Sequence, residues 1–186
     1  IRVDGVDVRT MTQEDLRAKT GFVPQKAVLF SGTIADNIRY GKEDATEEEI
    51  RHAADVAQAT EFISEMKDGL NSVIAQGGTN VSGGQKQRLS IARALVRRPE
   101  IYVFDDSFSA LDFKTDARLR AALKKETTNA TVFIVAQRVG TVMDADQIIV
   151  LDEGRIAGIG SHRELMETST VYREIVSSQL SLEEIA

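Results

Sequence analysis

Apolar positions follow two different rhythms along this chain. After Thr46, the residues Ile50, Ala53, Ala54 and Ala57 recur at the spacing of one helical face. Residues 46–58 and 61–66 are therefore predicted helices. Elsewhere the apolar positions run together: Gly21–Gln25, Ile101–Asp105, Thr131–Ala136 and Gln147–Gly160. These are predicted strands, the last a hairpin turning at Asp152–Gly154. The Ile101 and Thr131 runs are solidly apolar. Strands of that kind are expected to be covered on both faces, as parallel strands are. Helical stretches at Gly84–Arg97 and Thr115–Lys125 separate the strands, and this alternation predicts an α/β fold with a largely parallel sheet.

Three helix starts carry the Ser/Thr-x-x-Glu/Gln capping pattern: Thr46–Glu49, Ser82–Gln85 and Ser161–Glu164. No apolar run approaches the roughly 20 residues of a membrane helix. At 186 residues the chain is one domain, or one domain with a subdomain. It carries 29 acidic and 23 basic residues, a net charge of −6, which argues against nonspecific nucleic-acid binding. The absence of cysteine removes a disulfide scaffold and any thiolate metal site. The two histidines, His52 and His162, lie in predicted helices among charged residues and are expected at the solvated surface.

Two places carry candidate chemistry. Asp105 and Asp106 close an apolar strand, and a carboxylate is costly to bury unless it is paired or bound to a metal. In a parallel sheet, ligands gather at the carboxyl ends of the strands, where Gln25, Asp105 and Gln137 would converge. The second place is the stretch Asn80–Glu100. There Ser82 is placed to cap a helix, and Gly83 and Gly84 leave its backbone open to a ligand. Free N–H groups at a helix start make a ready anion site.

The order "PQKAVLFSGTIADNI", "VSGGQKQRLSIARAL", "VFDDSFSALD", "VFIVAQRV" resembles the nucleotide-binding domain of ATP-binding cassette (ABC) transporters over nearly the whole chain. "FSGTIADNI" and "IAQGGTNVSGGQ" resemble the exporter branch. The resemblance implies a P-loop NTPase (RecA-like) ABC ATPase core with an α-helical subdomain, using ATP and Mg²⁺. By position, Gln25 matches the Q-loop glutamine, which touches Mg²⁺ and the catalytic water and senses the membrane domain. Gln76–Asn80 match the exporter loop that contacts the membrane subunits. Val81, Ser82, Gly83, Gly84 and Gln85 match the signature motif, which binds the γ-phosphate of an ATP held by the opposite domain of a dimer. Asp105 matches the Walker B aspartate for Mg²⁺. Ser109–Asp112 match the D-loop, which crosses the dimer interface.

The sequence departs from the pattern at three points. Asp106 stands where the family has a catalytic glutamate. Its carboxylate is one methylene shorter, and a misplacement of about 1 Å can cost about 100-fold in rate. Gln137 stands where the family has a switch histidine, and offers only a neutral amide. Together they resemble the degenerate site of heterodimeric exporters. Val81 replaces leucine, and the rest of the signature is intact, so the chain is expected to weaken its own site while completing its partner's. Third, no Gly-x-x-x-x-Gly-Lys-Ser/Thr occurs, and the one Gly-Lys pair, Gly41–Lys42, precedes Glu43.

The chain starts with Ile1 rather than Met, so it is expected to be a piece cut after the phosphate-binding loop, leaving an incomplete core. The resemblance divides it into 1–43 (core with Q-loop), 44–98 (helical subdomain with signature), 99–160 (core with Walker B, D-loop and switch) and 161–186 (C-terminal helices). It places the whole protein at the cytoplasmic face of the cell membrane. Its partners would be a second nucleotide-binding domain and transmembrane domains, without nucleic acid. The alternatives are a non-transport ABC-type ATPase and a non-catalytic regulatory domain. By the same resemblance, the strand leading into the phosphate loop lies between Thr131–Ala136 and the strand starting near Gln147. Without it, those two strands are expected not to pair directly.

Overall fold

The computed structural model describes residues 1–179. It divides into two compact units, Ile1–Val135 and a second beginning at Ala136. The last part of the expected C-terminal segment, residues 180–186, lies outside the described residues.

The first unit opens with a short hairpin, β1 (Arg2–Val3) and β2 (Val6–Asp7), followed by α1 (Gln13–Lys19) and β3 (Thr20–Val23). β4 (Gly32–Thr33), α2 (Ile34–Arg39), α3 (Glu47–Val56), α4 (Thr60–Glu65) and β5 (Val73–Ile74) come next. Then come α5 (Gly83–Leu95), β6 (Ile101–Asp105), α6 (Phe113–Glu126) and β7 (Thr131–Val135). β3, β6 and β7 form a parallel sheet in the order β3-β6-β7, while β4 and β5 form a separate antiparallel pair. α5 is the central pillar: Leu89, Ile91, Ala92, Leu95 and Val96 join Val23, Tyr102 and Phe104 of the sheet and Ile34, Ile38 and Ile50 of the helices in one core. α2 passes so close that a Cβ on Gly41 would lie 2.0 Å from the Arg93 carbonyl oxygen, so only glycine fits there.

The sheet is covered on one face only, contrary to the two-sided burial its apolar runs predict. Gly21, Val23, Tyr102 and Phe104 are buried, whereas Phe22, Phe133 and Val135 on the opposite face are exposed by more than half. Ladder register aligns Phe22, Val103 and Phe133 across that open face.

The second unit contains α7 (Val139–Val142), the hairpin β8 (Ile148–Asp152) and β9 (Arg155–Gly160), α8 (His162–Thr168) and α9 (Thr170–Gln179). The hairpin turns through Glu153 and Gly154, both in the left-handed region, as Asp152–Gly154 predicts. Ile148 and Val150 pack with Leu165, Tyr172 and Val176, leaving Ile149, Leu151 and Ile159 exposed. Among the described residues, β8 pairs with β9 and β7 with β6. His52 is exposed as expected, with Nε2 2.9 Å from Glu126 Oε2, whereas His162 is half-buried and holds Tyr172 Oη at 2.8 Å.

Candidate functional site

The site is built from two loops that leave the parallel sheet. β3 ends at Val23, and buried Gln87 of α5 donates to the Pro24 carbonyl at 3.1 Å, fixing the chain just before Gln25. β6 ends at Asp105. Buried Ser107 then donates to the Val23 carbonyl at 2.9 Å, tying the second loop to the first. Asp106 takes φ +42°, a left-handed conformation that aspartate tolerates better than most residues. Its N–H donates to the Val135 carbonyl at 2.8 Å, and its carbonyl accepts from Ser109 Oγ at 3.0 Å. In this setting Gln25 Nε2 donates to Asp106 Oδ2 at 3.1 Å. Two residues 81 positions apart thus meet at adjoining strand ends.

The second part is the start of α5. The Ser82 hydroxyl accepts from the Gln85 N–H at 3.2 Å, and the Gln85 side chain accepts from the Ser82 N–H at 2.9 Å. The helical ladder begins with the Lys86 N–H on the Ser82 carbonyl, so the Gly83 and Gly84 N–H groups project from the helix end. No acidic residue occupies this first turn. The donor set suits an anion. Upstream, Asn80 bonds Val73 and Ala75, and Lys86 Nζ donates to the Gly77 carbonyl at 2.9 Å, which braces Gln76–Asn80. Val81 leans on the core.

The loop 109–112 abuts this helix start. A Cβ on Gly84 would lie 3.2 Å from the Ala110 carbonyl oxygen and 3.6 Å from Leu111 Cδ2. Asp112 caps α6, its Oδ1 accepting from the Thr115 N–H at 2.9 Å, and that bond holds its carboxyl below the usual range. Ser82 to Gln85 and Ser109 to Asp112 therefore form one continuous surface.

Gln137 belongs to the second unit. It is exposed, and its carbonyl accepts from Gln179 Nε2 at 2.8 Å while Gln179 Oε1 accepts from the Val139 N–H at 2.8 Å. This brace from α9 has no local sequence signal, because 42 residues separate its ends.

A further cluster escaped the sequence reading. Arg93 lies 5.1 Å from the Phe30 ring centroid and 5.6 Å from that of Tyr40, and the two rings are 4.6 Å apart. Its guanidinium donates to the Asn37 carbonyl, Asn37 Oδ1 and the Val28 carbonyl. Burial lowers its pKa, while these acceptors and the ring faces stabilise its charge. Phe30 is exposed, and the exposed Val28 and Tyr40 line a shallow cleft that also takes in Pro24, Arg93 and Arg97.

The family model described as ABC transporter matches residues 1–109. The chain belongs to the ABC transporter family. It is 50% identical over 182 residues to an uncharacterized ABC transporter ATP-binding protein of Mycobacterium bovis, covering 96% of this chain and 31% of the relative. It is 41% identical over 179 residues to an ATP-dependent lipid A-core flippase of Desulfotalea psychrophila, again covering 96% and 31%. Its fold matches the structure of a bacterial Atm1-family ABC exporter with ATP bound, with a TM-score of 0.91 and 39% identity over 94% of this chain and 31% of that one. The mixed α/β unit is thus an ABC ATPase fold. The chain spans about a third of the length of these relatives.

The oxygen donors fit the family's metal. Mg²⁺ takes one or two carboxylates and completes its shell with water and substrate phosphates. The Asp105 carboxylate and the Gln25 amide oxygen are donors of that class. Among the described residues no group of three or more acidic or histidine side chains forms a protein-only cage.

Proposed function

We propose that this chain is part of the nucleotide-binding domain of an ABC exporter, coupling ATP binding and hydrolysis to export across a membrane. The observation that carries the proposal is the single surface formed by the open start of α5 and the loop 109–112. It offers donors outward, toward a phosphate held by another domain, rather than into a pocket of its own. In this reading Ser82, Gly83 and Gly84 bind the γ-phosphate of the partner's ATP. Asp105 and Gln25 would hold Mg²⁺, which neutralises phosphate charge when bound. Gln76–Asn80 and the Phe30–Tyr40–Arg93 patch face the transmembrane domains. The patch supports that role because exposed rings around a braced cation suit a docking surface.

The chain's own half-site is the weaker one. Asp106 is the acceptor available to a water proton, but it is short and engaged by Gln25. Gln137 supplies no charge. Hydrolysis therefore falls mainly to the site completed by Ser82–Gln85. The regions 1–43 and 99–160 act as core, 44–98 as helical subdomain and 161–186 as C-terminal helices. No observation favours a non-transport ATPase.

Photolabelling of the complete transporter with azido-ATP and vanadate tests this reading. Label should be trapped mainly at the site whose phosphate loop belongs to the partner half. Equal trapping at both sites would remove the asymmetry, and no ATP-dependent trapping at either would remove the ATPase role.

A further inference from the structure

The shallow cleft beside Arg93 is lined by two arginines and, among the described residues, by no acid. Arg93 stands on α5 and Arg97 one turn further on, just past the helix end, so both reach the cleft from one side. Like charges at this spacing repel each other. The imbalance stands out in a chain with 29 acidic and 23 basic residues. Elsewhere on the surface Arg9, Arg39, Arg51 and Arg120 each hold a carboxylate. Among the described residues neither Arg93 nor Arg97 forms an ion pair.

Arg97 is exposed, and its Nη2 donates to the Arg17 carbonyl at 2.9 Å. Arg93 is half-buried, so its charge matters more. Its three hydrogen bonds, from Nε, Nη1 and Nη2, end on the Asn37 carbonyl, the Val28 carbonyl and the Asn37 amide oxygen, all neutral acceptors. The Phe30 and Tyr40 rings stabilise the cation without neutralising it. A guanidinium carries five N–H donors, and these bonds use only one on each nitrogen. A desolvated charge is costly without a counter-charge, and the planar guanidinium suits a carboxylate best. The exposed Val28 and Tyr40 add apolar surface to the same lining.

We infer that this cleft is a carboxylate receptor, in which Arg93 and Arg97 take an Asp or Glu side chain, flanked by apolar residues, from the segment of the transmembrane domains that docks here. The inference rests on the function proposed above and deepens it by naming what the cleft selects. A docking segment of the same shape without an acid leaves the Arg93 charge uncompensated. The two arginines therefore determine which membrane domain fits, as an unpaired charge does at other selective interfaces.

The test uses the complete transporter with a photocrosslinker in place of an exposed ring of the cleft, Tyr40→benzoylphenylalanine. Mass spectrometry identifies the captured peptide. The expected peptide belongs to the transmembrane domains and has an Asp or Glu within about one helical turn of the captured residue. Changing that acid to its amide should lower capture by about tenfold or more, the scale of removing one partner from a close charge pair. Arg97→Glu, at an exposed position, should lower capture alike, and changing the acid to lysine in that background should restore it. A transmembrane-domain peptide without an acid in that span, or capture indifferent to either charge change, overturns the inference and leaves the functional reading standing. Capture of no transmembrane-domain peptide takes down both.

Discussion

Gln25 donates through Nε2 to the Asp106 carboxylate at 3.1 Å, joining the end of β3 to the residue just beyond β6. The bond uses an oxygen that a catalytic carboxylate would offer to water. The left-handed backbone of Asp106 adds a local reason for the residue: aspartate accepts φ +42° more readily than glutamate. We predict that Asp106→Glu with Gln137→His raises hydrolysis at this site in the complete transporter. The rise should approach about 100-fold if placement of the carboxylate is the deficit. The same pair should cost about 1 kcal/mol of stability through backbone strain. Single-site turnover with the partner's site disabled, alongside a urea melt, checks both; unchanged turnover would remove Asp106 and Gln137 as the cause of weakness.

The start of α5 provides a cleaner probe than the residues within its ladder. A Cβ on Gly83 meets nothing within 4 Å, whereas one on Gly84 presses on the Ala110 carbonyl. Gly83→Asp puts a negative charge in a first turn that has none, which favours the helix and repels an anion. Its melting temperature should hold or rise while transporter ATPase falls by about 100-fold or more, the scale of losing aimed donors. Ser82→Ala should also cut turnover strongly, and Asp106→Ala only slightly. Equal losses from Gly83→Asp and Asp106→Ala would contradict the asymmetry.

The 186-residue chain by itself is expected to release no phosphate from Mg·ATP above the buffer blank. Its sequence contains no Gly-x-x-x-x-Gly-Lys-Ser/Thr, and Lys42 is engaged by Glu49 at 2.6 Å. Turnover at ordinary enzyme rates in a coupled phosphate assay would mean that another group cradles the phosphates.

Local signals in the sequence translated well into structure, and distant ones did not. The capping boxes at Thr46, Ser82 and Ser161 all form. Thr33–Asp36 forms the same box with aspartate in the third position, which the Glu/Gln pattern passes over. The Asp4–Gly5 turn of the first hairpin, with φ +49° and +80°, was likewise readable and was missed. That Gln25 and Asp105 stand at the ends of strands in one parallel sheet was foreseeable, since β3 and β6 pair in parallel; the third residue expected there, Gln137, belongs to the second unit. The Gln25–Asp106 bond was not foreseeable, because Gln87 and Ser107 set it from elsewhere in the chain. The Arg93 cluster depends on the Gly41 contact between α2 and α5, which no periodicity encodes.

Acid should weaken the helices through their caps. Glu49 is held below the usual range by Lys42 and then by the Thr46 N–H. Asp36, Asp112 and Glu164 are lowered mainly by the backbone N–H groups of Thr33, Thr115 and Ser161. A carboxyl depressed in the folded state contributes stability above its unfolded pKa and loses it as pH falls through the folded value. The melting temperature should stay level down to about pH 5 and fall below about pH 4. Glu49→Gln keeps an acceptor for the Thr46 N–H but cannot titrate, so its curve should fall less steeply. An equally steep curve would place the acid sensitivity elsewhere.

The open edge of β7 supports the last prediction. β7 bonds β6 along one side, with the Thr131 N–H on the Glu100 carbonyl and the Val135 carbonyl accepting from Asp106. Backbone groups alternate along a strand, so the amides of Val132 and Ile134 point to the other side. No strand pairs there among the described residues. Phe133 and Val135 of β7 are exposed apolar side chains among the described residues. Unpaired backbone and bare apolar strands favour acquisition of another strand. In the 186-residue chain, the Val132 and Ile134 amides should exchange hydrogen quickly while the Phe133 amide is protected. Extending the chain with the preceding segment of its 50%-identical Mycobacterium bovis relative should slow exchange at both positions by about 100-fold or more. It should also remove any concentration-dependent self-association. Protection at Val132 and Ile134 equal to that at Phe133 in the monomeric 186-residue chain would mean that this edge is already satisfied and would refute the prediction.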